Sequence, residues 1–313
     1  MTTRNKRVAL VLGAGGTLGA AWMIGGLAAI QERVGRPLGE ADTIIGTSAG
    51  SVVAAALRHG LTPDQLIDHQ LGVDNPAVPA AADFERDSGL HPSPPRLRLG
   101  SPRMLATAVL APHSVHPRVL ASALLPEGRS EHRTLRQYVQ ALAGAEPGPW
   151  PRHDTWIVGV DYESGRRVVF GRPGSPPAPL PDAVVASCSI PGWHRPVVIG
   201  DRRYVDGGVR SITSVDLLRN QQYDEVYVLA PMASSRTDRP WHPATRAERV
   251  LRQLLAVELA REVAKVAGTG ARVSVLTPGP ADLDAIGVNL MDGRRRADVL
   301  RTAQTTIPAA LAA

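Results

Sequence analysis

The chain has 313 residues, 43% hydrophobic and 20% charged, which excludes a disordered segment and suits one large α/β domain or two small ones. Aromatic residues make up only 4%, too few for a surface that stacks RNA bases, so no nucleic-acid partner is expected. The net charge is +6 and nearly all of the positive charge is arginine, which fits either solvated faces or attraction to an anionic layer such as phospholipid headgroups.

Val8 to Leu12 is an unbroken apolar run that ends in glycines, the pattern of a buried parallel strand. A helix rich in Ala, Gly and Leu is predicted from Thr17 to Arg33, small enough on its faces to pack closely on a sheet. Thr43 to Ile45 reads as a second short strand and Ala49 to His59 as a second helix. Thr62 and Pro63 form an N-cap and first-turn pair for a third helix. Strand, glycine turn, helix, repeated, points to a parallel sheet.

From about Val73 the character changes. Asn75 to Ser101 is rich in Pro, Arg and Ser and reads as loop or lid. Short helical patterns follow, then a clearer helix from Glu131 to Leu142. Sheet patterns return in "TWIVGVDY" and "RRVVFG", which read as a hairpin, and in "RPVVIGDRRYVDGG", a second hairpin turning at Gly200-Asp201. "DEVYVLAP" and "ARVSVLTP" are later strands. Between these two lies the longest helix, Arg246 to Ala267, with Val250, Leu254, Val257 and Arg261 at helical spacing, and Arg294 to Thr305 closes the chain. No internal repeat or domain linker is evident. The expected organisation is one domain over 1–313, with 73–149 as an inserted cover or lid.

Cys188 is the only cysteine, so no intrachain disulfide forms. The start "MTTRNKRVALVLGAGG" lacks the form of a secretory signal, and no apolar run approaches the roughly 20 residues of a spanning helix. The expected location is cytoplasmic, with peripheral contact at the inner membrane face.

Two glycine-rich turns carry the chemistry. "GAGGTLG", Gly13 to Gly19, fits neither frame of a dinucleotide fingerprint, because Leu18 or Ala14 falls where glycine is required. Two readings stay open: a close helix–strand crossing, or an oxyanion hole built from main-chain N–H groups at a helix N-terminus. "GTSAG", with Ser48 between Gly46 and Gly50, lies between a strand and a helix, the setting of a nucleophile elbow. A serine there needs a base. None of the nine histidines sits at an evident strand end; His194 is the best of them, and His242 is a further triad candidate. Asp206 in "YVDGG" sits at a strand end before Gly207 and Gly208 and is the stronger partner.

These blocks resemble the patatin-like phospholipase family. "GAGGTLG" is similar to its oxyanion loop, "GTSAG" to its elbow and "DGG" to its Asp-Gly-Gly/Ala motif. "SCSIPGWHRPV" from Ser187 is similar to the Ser-x-x-x-Pro stretch upstream of the aspartate. The resemblance implies a three-layer α/β fold with a mostly parallel sheet. It also implies a lipid acyl hydrolase with Ser48 as nucleophile, Asp206 as base, and Gly15 and Gly16 as oxyanion donors. No metal or cofactor is implied. Leu18 stands where the family typically carries Arg or Lys, which leaves open whether phospholipid or another ester is cleaved, and Ala14 stands for a usual glycine. The alternatives are a non-catalytic lipid-binding relative and a Ser-His-Asp α/β-hydrolase. Oligomeric state is left open.

Overall fold

The computed structural model describes residues 6–79, 94–96, 98–111, 115–144, 150–235, 238 and 240–312. Much of the 75–101 lid segment therefore lies outside the described residues.

The N-terminal half-sheet follows the sequence pattern closely. Strand β1 (Val8–Leu12) leads through the first glycine turn into helix α1 (Gly16–Val34). Strand β2 (Thr43–Thr47) leads through the second into α2 (Ala49–Arg58), and α3 (Pro63–Gln70) follows behind a complete capping box at Thr62 and Gln65. Helices α4 (Pro102–Leu110), α5 (Pro117–Leu124) and α6 (Arg133–Ala143) come next. The β3 (Asp154–Asp161) and β4 (Arg167–Phe170) hairpin, helix α7 (Leu180–Cys188), and the β5 (Val197–Ile199) and β6 (Arg202–Asp206) hairpin then complete one side of the sheet. Strand β7 (Glu225–Leu229), α8 (Pro243–Ala267), β8 (Arg272–Leu276), α9 (Pro280–Ile286) and α10 (Arg296–Ala312) close the fold.

The strands lie in the order β5-β6-β3-β2-β1-β7-β8, with β4 also paired to β3. The run β3-β2-β1-β7-β8 is parallel, and the two hairpin strands β4 and β6 run antiparallel to β3. Side chains alternate across β1. Val8, Leu10 and Leu12 enter the core shared with α1, α2 and α10, whereas Ala9 and Val11 enter the core that α8 covers with Leu255 and Leu259. That alternation makes the three layers of helices, sheet and helices.

Two expectations are refined. The small-residue face of α1 packs against α10 rather than the sheet; a Cβ at Gly26 would fall 2.5 Å from Ile307 Cδ1. The Val250, Leu254, Val257 stripe on α8 faces outward, each residue more than half exposed, while Arg249 and Arg252 lie on the buried side. Burial of those arginines is offset by Glu248, which pairs with both, and by Asp238, 2.6 Å from Arg249. Arg252 also donates to the carbonyl of Pro231, and the Pro231 ring rests against Gly15.

Register decides what meets at the sheet's centre. On β3, β2 pairs with Asp154 to Val158 and β6 with Gly159 to Asp161. Strand β4 overlaps both stretches, so it takes the opposite edge and leaves β2 and β6 end to end along one edge. Because β2 runs with β3 and β6 against it, their C-terminal ends face each other. Thr47 is opposite Val158 and Asp206 is opposite Gly159, which brings two distant parts of the chain to one point.

Candidate active site

Ser48 follows Thr47 in a backbone conformation that side chains rarely adopt, φ 52° and ψ −124°, and it forms the N-cap of α2. Such strain persists only where the surroundings enforce it, and it aims the side chain off the end of the strand. The flanking glycines let the turn be this tight. A Cβ on Gly50 would fall 2.0 Å from the Leu12 carbonyl oxygen, and one on Gly46 2.6 Å from Ser51 Cα. Gly50→Ala is accordingly expected to destabilise the chain by more than about 4 kcal/mol, the range of severe steric substitutions, read from urea unfolding. Wild-type unfolding behaviour in that variant would refute the close approach of α2 and β1.

The Asp206 carboxylate accepts from Gly208 N–H at 2.7 Å, and the Ser48 hydroxyl stands near enough to favour its charged form. Both residues are buried, Ser48 at 6% exposure and Asp206 at 5%. Burial pushes the Asp206 carboxyl up to about 6, against the opposing pull of the Ser48 hydroxyl and the Gly208 N–H. The Asp206 N–H donates to the Ser189 carbonyl at 3.0 Å, fixing the strand end. Gly207 is pressed onto Val158, where a Cβ would meet the carbonyl oxygen at 2.5 Å.

The first glycine turn abuts the same point, since a Cβ on Gly208 would fall 3.2 Å from that of Ala14. Gly13 N–H donates to Leu229 and Ala14 N–H to Ile212, which anchors the loop between β7 and the segment after β6. Leu18 N–H donates to Leu290, and Gly19 N–H to Gly15. Among the described residues, the N–H groups of Gly15, Gly16 and Thr17 have no acceptor. Gly16 has φ +60°, a left-handed conformation that turns the chain into α1. The N-termini of α1 and α2 thus flank Ser48 with free donors and the positive ends of two helix dipoles.

A residue the sequence offered only as part of a motif holds the elbow. Ser187 Oγ accepts from Ser48 N–H at 2.8 Å and donates to the Val158 carbonyl at 2.6 Å, tying α7, the elbow and β3 together. Ser187→Ala leaves that buried N–H unpaired and is expected to cost about 1–3 kcal/mol in denaturant unfolding. A loss of less than about 0.5 kcal/mol would contradict the tie.

The histidine candidates are placed elsewhere. His242 is exposed at the start of α8, where Nδ1 accepts from Ala244 N–H. His194 is 1% exposed, stacks on His132 at 4.0 Å, and has no hydrogen-bond partner on either ring nitrogen, so it does not bond to Ser48. Burial, and then the neighbouring His132, push its pKa down to about 2 and keep the ring neutral. Cys188 is buried, and burial together with nearby Asp206 pushes its thiol pKa up, so it stays protonated.

Ser48 opens into a cleft whose walls include Val52, Val53, Leu66, Leu135 and Tyr138. Of the described part of 73–149, α6 and the residue before it border this cleft; α4 and α5 instead form a separate apolar cluster with β3 and β6. Among the described residues no Arg or Lys lines the cleft, and Leu18 is fully buried.

A model of the patatin-like phospholipase family matches residues 10–219. The chain belongs to the patatin-like phospholipase family. The matched span of this patatin-like chain contains both glycine turns, Ser187 and Asp206. No curated protein matches it. Among solved structures, it is similar to VipD from Legionella pneumophila, with 12% identity and a TM-score of 0.46 over 99% of this chain and 67% of that one. It is also similar to the type III effector ExoU, with 16% identity and a TM-score of 0.37 over 98% of this chain. The patatin-like chain spans about half of ExoU, 53% of its length. Family membership supports lipid acyl hydrolase activity. Among the described residues no helix is long and apolar enough to cross a membrane.

Proposed function

We propose that the protein is a serine hydrolase of lipid acyl esters, working through a Ser48–Asp206 dyad. The observation that carries this reading is the convergence of the Ser48 hydroxyl and a buried Asp206 carboxylate that feels it, beside unpartnered main-chain donors at a largely apolar cleft. The acyl chain lies in the cleft and brings its ester carbonyl to Ser48. Asp206 accepts the hydroxyl proton as Oγ bonds to the carbonyl carbon. The N–H groups of Gly15 and Gly16 receive the developing oxyanion, each such donor being worth on the order of 10²–10³ in rate. The protonated Asp206 gives its proton to the departing alkoxide. Water, activated by the same carboxylate, then releases the acid from acyl-Ser48.

Gly13, Gly19, Gly46, Gly50, Gly207 and Gly208 support this geometry by allowing the close approaches and turns around it. The whole chain acts as one hydrolase domain, with α6 of the 73–149 region supplying part of the cleft wall. Among the described residues the cleft lining holds no Arg or Lys, which favours an acyl ester whose bound part is uncharged over one gripped by its phosphate. A lipid surface is the expected source of substrate, with the protein cytoplasmic and peripheral.

The test is covalent labelling with a fluorophosphonate and peptide mapping of the adduct, alongside a panel of neutral esters, lysophospholipids and diacyl phospholipids. The proposal expects a single adduct on Ser48 and hydrolysis fastest on neutral esters. Folded protein that no serine probe modifies would instead make it a binding relative.

A further inference from the structure

The two helices that leave the catalytic turns give the cleft a length. Helices α1 and α2 both start beside Ser48, follow parallel neighbouring strands and pack into the same core layer, so they run away from the site side by side. The lining steps turn by turn along each of them, through Gly16, Ala20 and Ile24 on α1 and through Ser48, Val52 and Ala56 on α2. Each series ends eight residues beyond its start, about 12 Å at the rise of an α-helix. Among the described residues neither helix lines the cleft any further along.

That far end is shut. Ile24 and Ala56 are joined there by Leu66, and these three are at most 3% exposed, whereas Ala20 and Val52, nearer Ser48, are only partly buried. Leu66 is fixed in place by the turn that follows α2. Leu61 N–H donates to the Ala56 carbonyl at 3.1 Å, α3 begins two residues later, and Leu66 N–H closes its first turn onto the Thr62 carbonyl at 3.1 Å.

Length along these helices converts to length of hydrocarbon. Carbon–carbon bonds of about 1.5 Å in an extended zigzag advance about 1.25 Å per carbon, so a chain pinned by its carbonyl at Ser48 fills the cleft with about 8–10 carbons. We propose that the cleft is a ruler for acyl chains of that medium length, with Ala56 and Leu66 setting its limit; this rests on the hydrolase reading above. Each methylene that fits leaves water and adds roughly 3–4-fold to kcat/KM. A methylene too many meets the packed side chains at the closed end, which yield only at a cost.

The experiment measures kcat/KM for p-nitrophenyl esters of straight-chain acids from butanoate to hexadecanoate on wild type, Ala56→Leu and Leu66→Ala. Wild type is expected to peak at about 8–10 carbons, at least about 10-fold above butanoate and above hexadecanoate. Ala56→Leu fills the closed end and moves the peak down by about two carbons, and Leu66→Ala opens it and moves the peak up by about two. Each peak is read within one preparation, so lost folded protein does not shift it, and if one variant fails to fold the other decides. Poor solubility of long esters acts at the same length on every variant and cannot move two peaks in opposite directions. A wild-type rate still rising at hexadecanoate, or a peak that stays in place in a folded variant, overturns the proposal. Melting of Ser48→Ala protein with the methyl esters of the same acids gives a reading without turnover. The largest rise in melting temperature is expected at about 8–10 carbons, and a rise that is equal at all lengths or still growing at hexadecanoate overturns the ruler. If no ester is cleaved at all, the hydrolase reading fails while this melting series still decides the length of the site.

Discussion

Replacing Ser48 with alanine is expected to lower kcat on an activated acyl ester by at least about 10⁴-fold, the scale on which serine hydrolases lose rate without their nucleophile. The donors at Gly15 and Gly16 remain in the variant and still polarise a bound carbonyl, so a small residual rate over water persists. The fold is expected to survive. The Ser48 backbone is held by Ser187 through its N–H and by Ser51 through its carbonyl, neither of which involves the lost hydroxyl. Relief of the lone side chain's strain is small, because alanine keeps the same Cβ at φ 52°. Steady-state kinetics on matched folded preparations provide the check. A residual rate within about 10-fold of wild type would move the chemistry to another group.

Asp206→Asn is expected to cost on the order of 10³–10⁴ in kcat, since the amide keeps the shape but cannot take a proton. Its Oδ1 can still accept from Gly208 N–H, so the strand end keeps its anchor. The same substitution carries an opposite effect on stability. In the folded chain the Asp206 pKa stands at about 6, above its ordinary 3.8, because burial disfavours the charge. Below about pH 4 both folded and unfolded chains are protonated there, and no cost exists. Between that point and about 6 the unfolded chain ionises first, so folding stability falls as pH rises. Above about 6 the full cost is in place, about 3 kcal/mol at most for a shift of this size. Asp206→Asn should therefore melt several degrees above wild type near pH ~8, with the gap closing toward pH ~4. Calorimetry over that range tests it, and a variant that melts lower than wild type at high pH would mean that Asp206 is not a buried, strained charge.

The glycine turns were legible because their logic is local. Gly46, Ser48 and Gly50 have their spacing from a clash within one strand–turn–helix unit, and the sequence carries that unit intact. Asp206 was legible as a strand-end acid. Its meeting with Ser48 depends on β6 lying end to end with β2 along β3, a register that no local pattern encodes. Ser187 was visible only as a letter in a motif, since its two hydrogen bonds reach the elbow and β3 across the sheet. Histidine is the common base of a serine nucleophile, which makes His194 a candidate from sequence; its burial against His132 goes with the bridge at Ser130 and leaves no trace in the periodicity. The α8 stripe at Val250, Leu254 and Val257 follows helical spacing yet faces out, because periodicity marks a face without saying what lies against it.

The buried carboxylate also changes how pH data are to be read. From sequence, a rate step near ~6.5 would have suggested histidine. With Asp206 pushed up to about 6, the carboxylate and an ordinary histidine both titrate in that region, so the position of a step alone does not discriminate. The decisive measurement is the pH profile of kcat/KM for a plain acyl ester on wild type, His194→Phe and Asp206→Asn. An ascending limb near about 6 that is kept in His194→Phe and absent from the residual rate of Asp206→Asn is the expected result. A limb that disappears with the histidine, or one that survives in Asp206→Asn, would contradict the dyad.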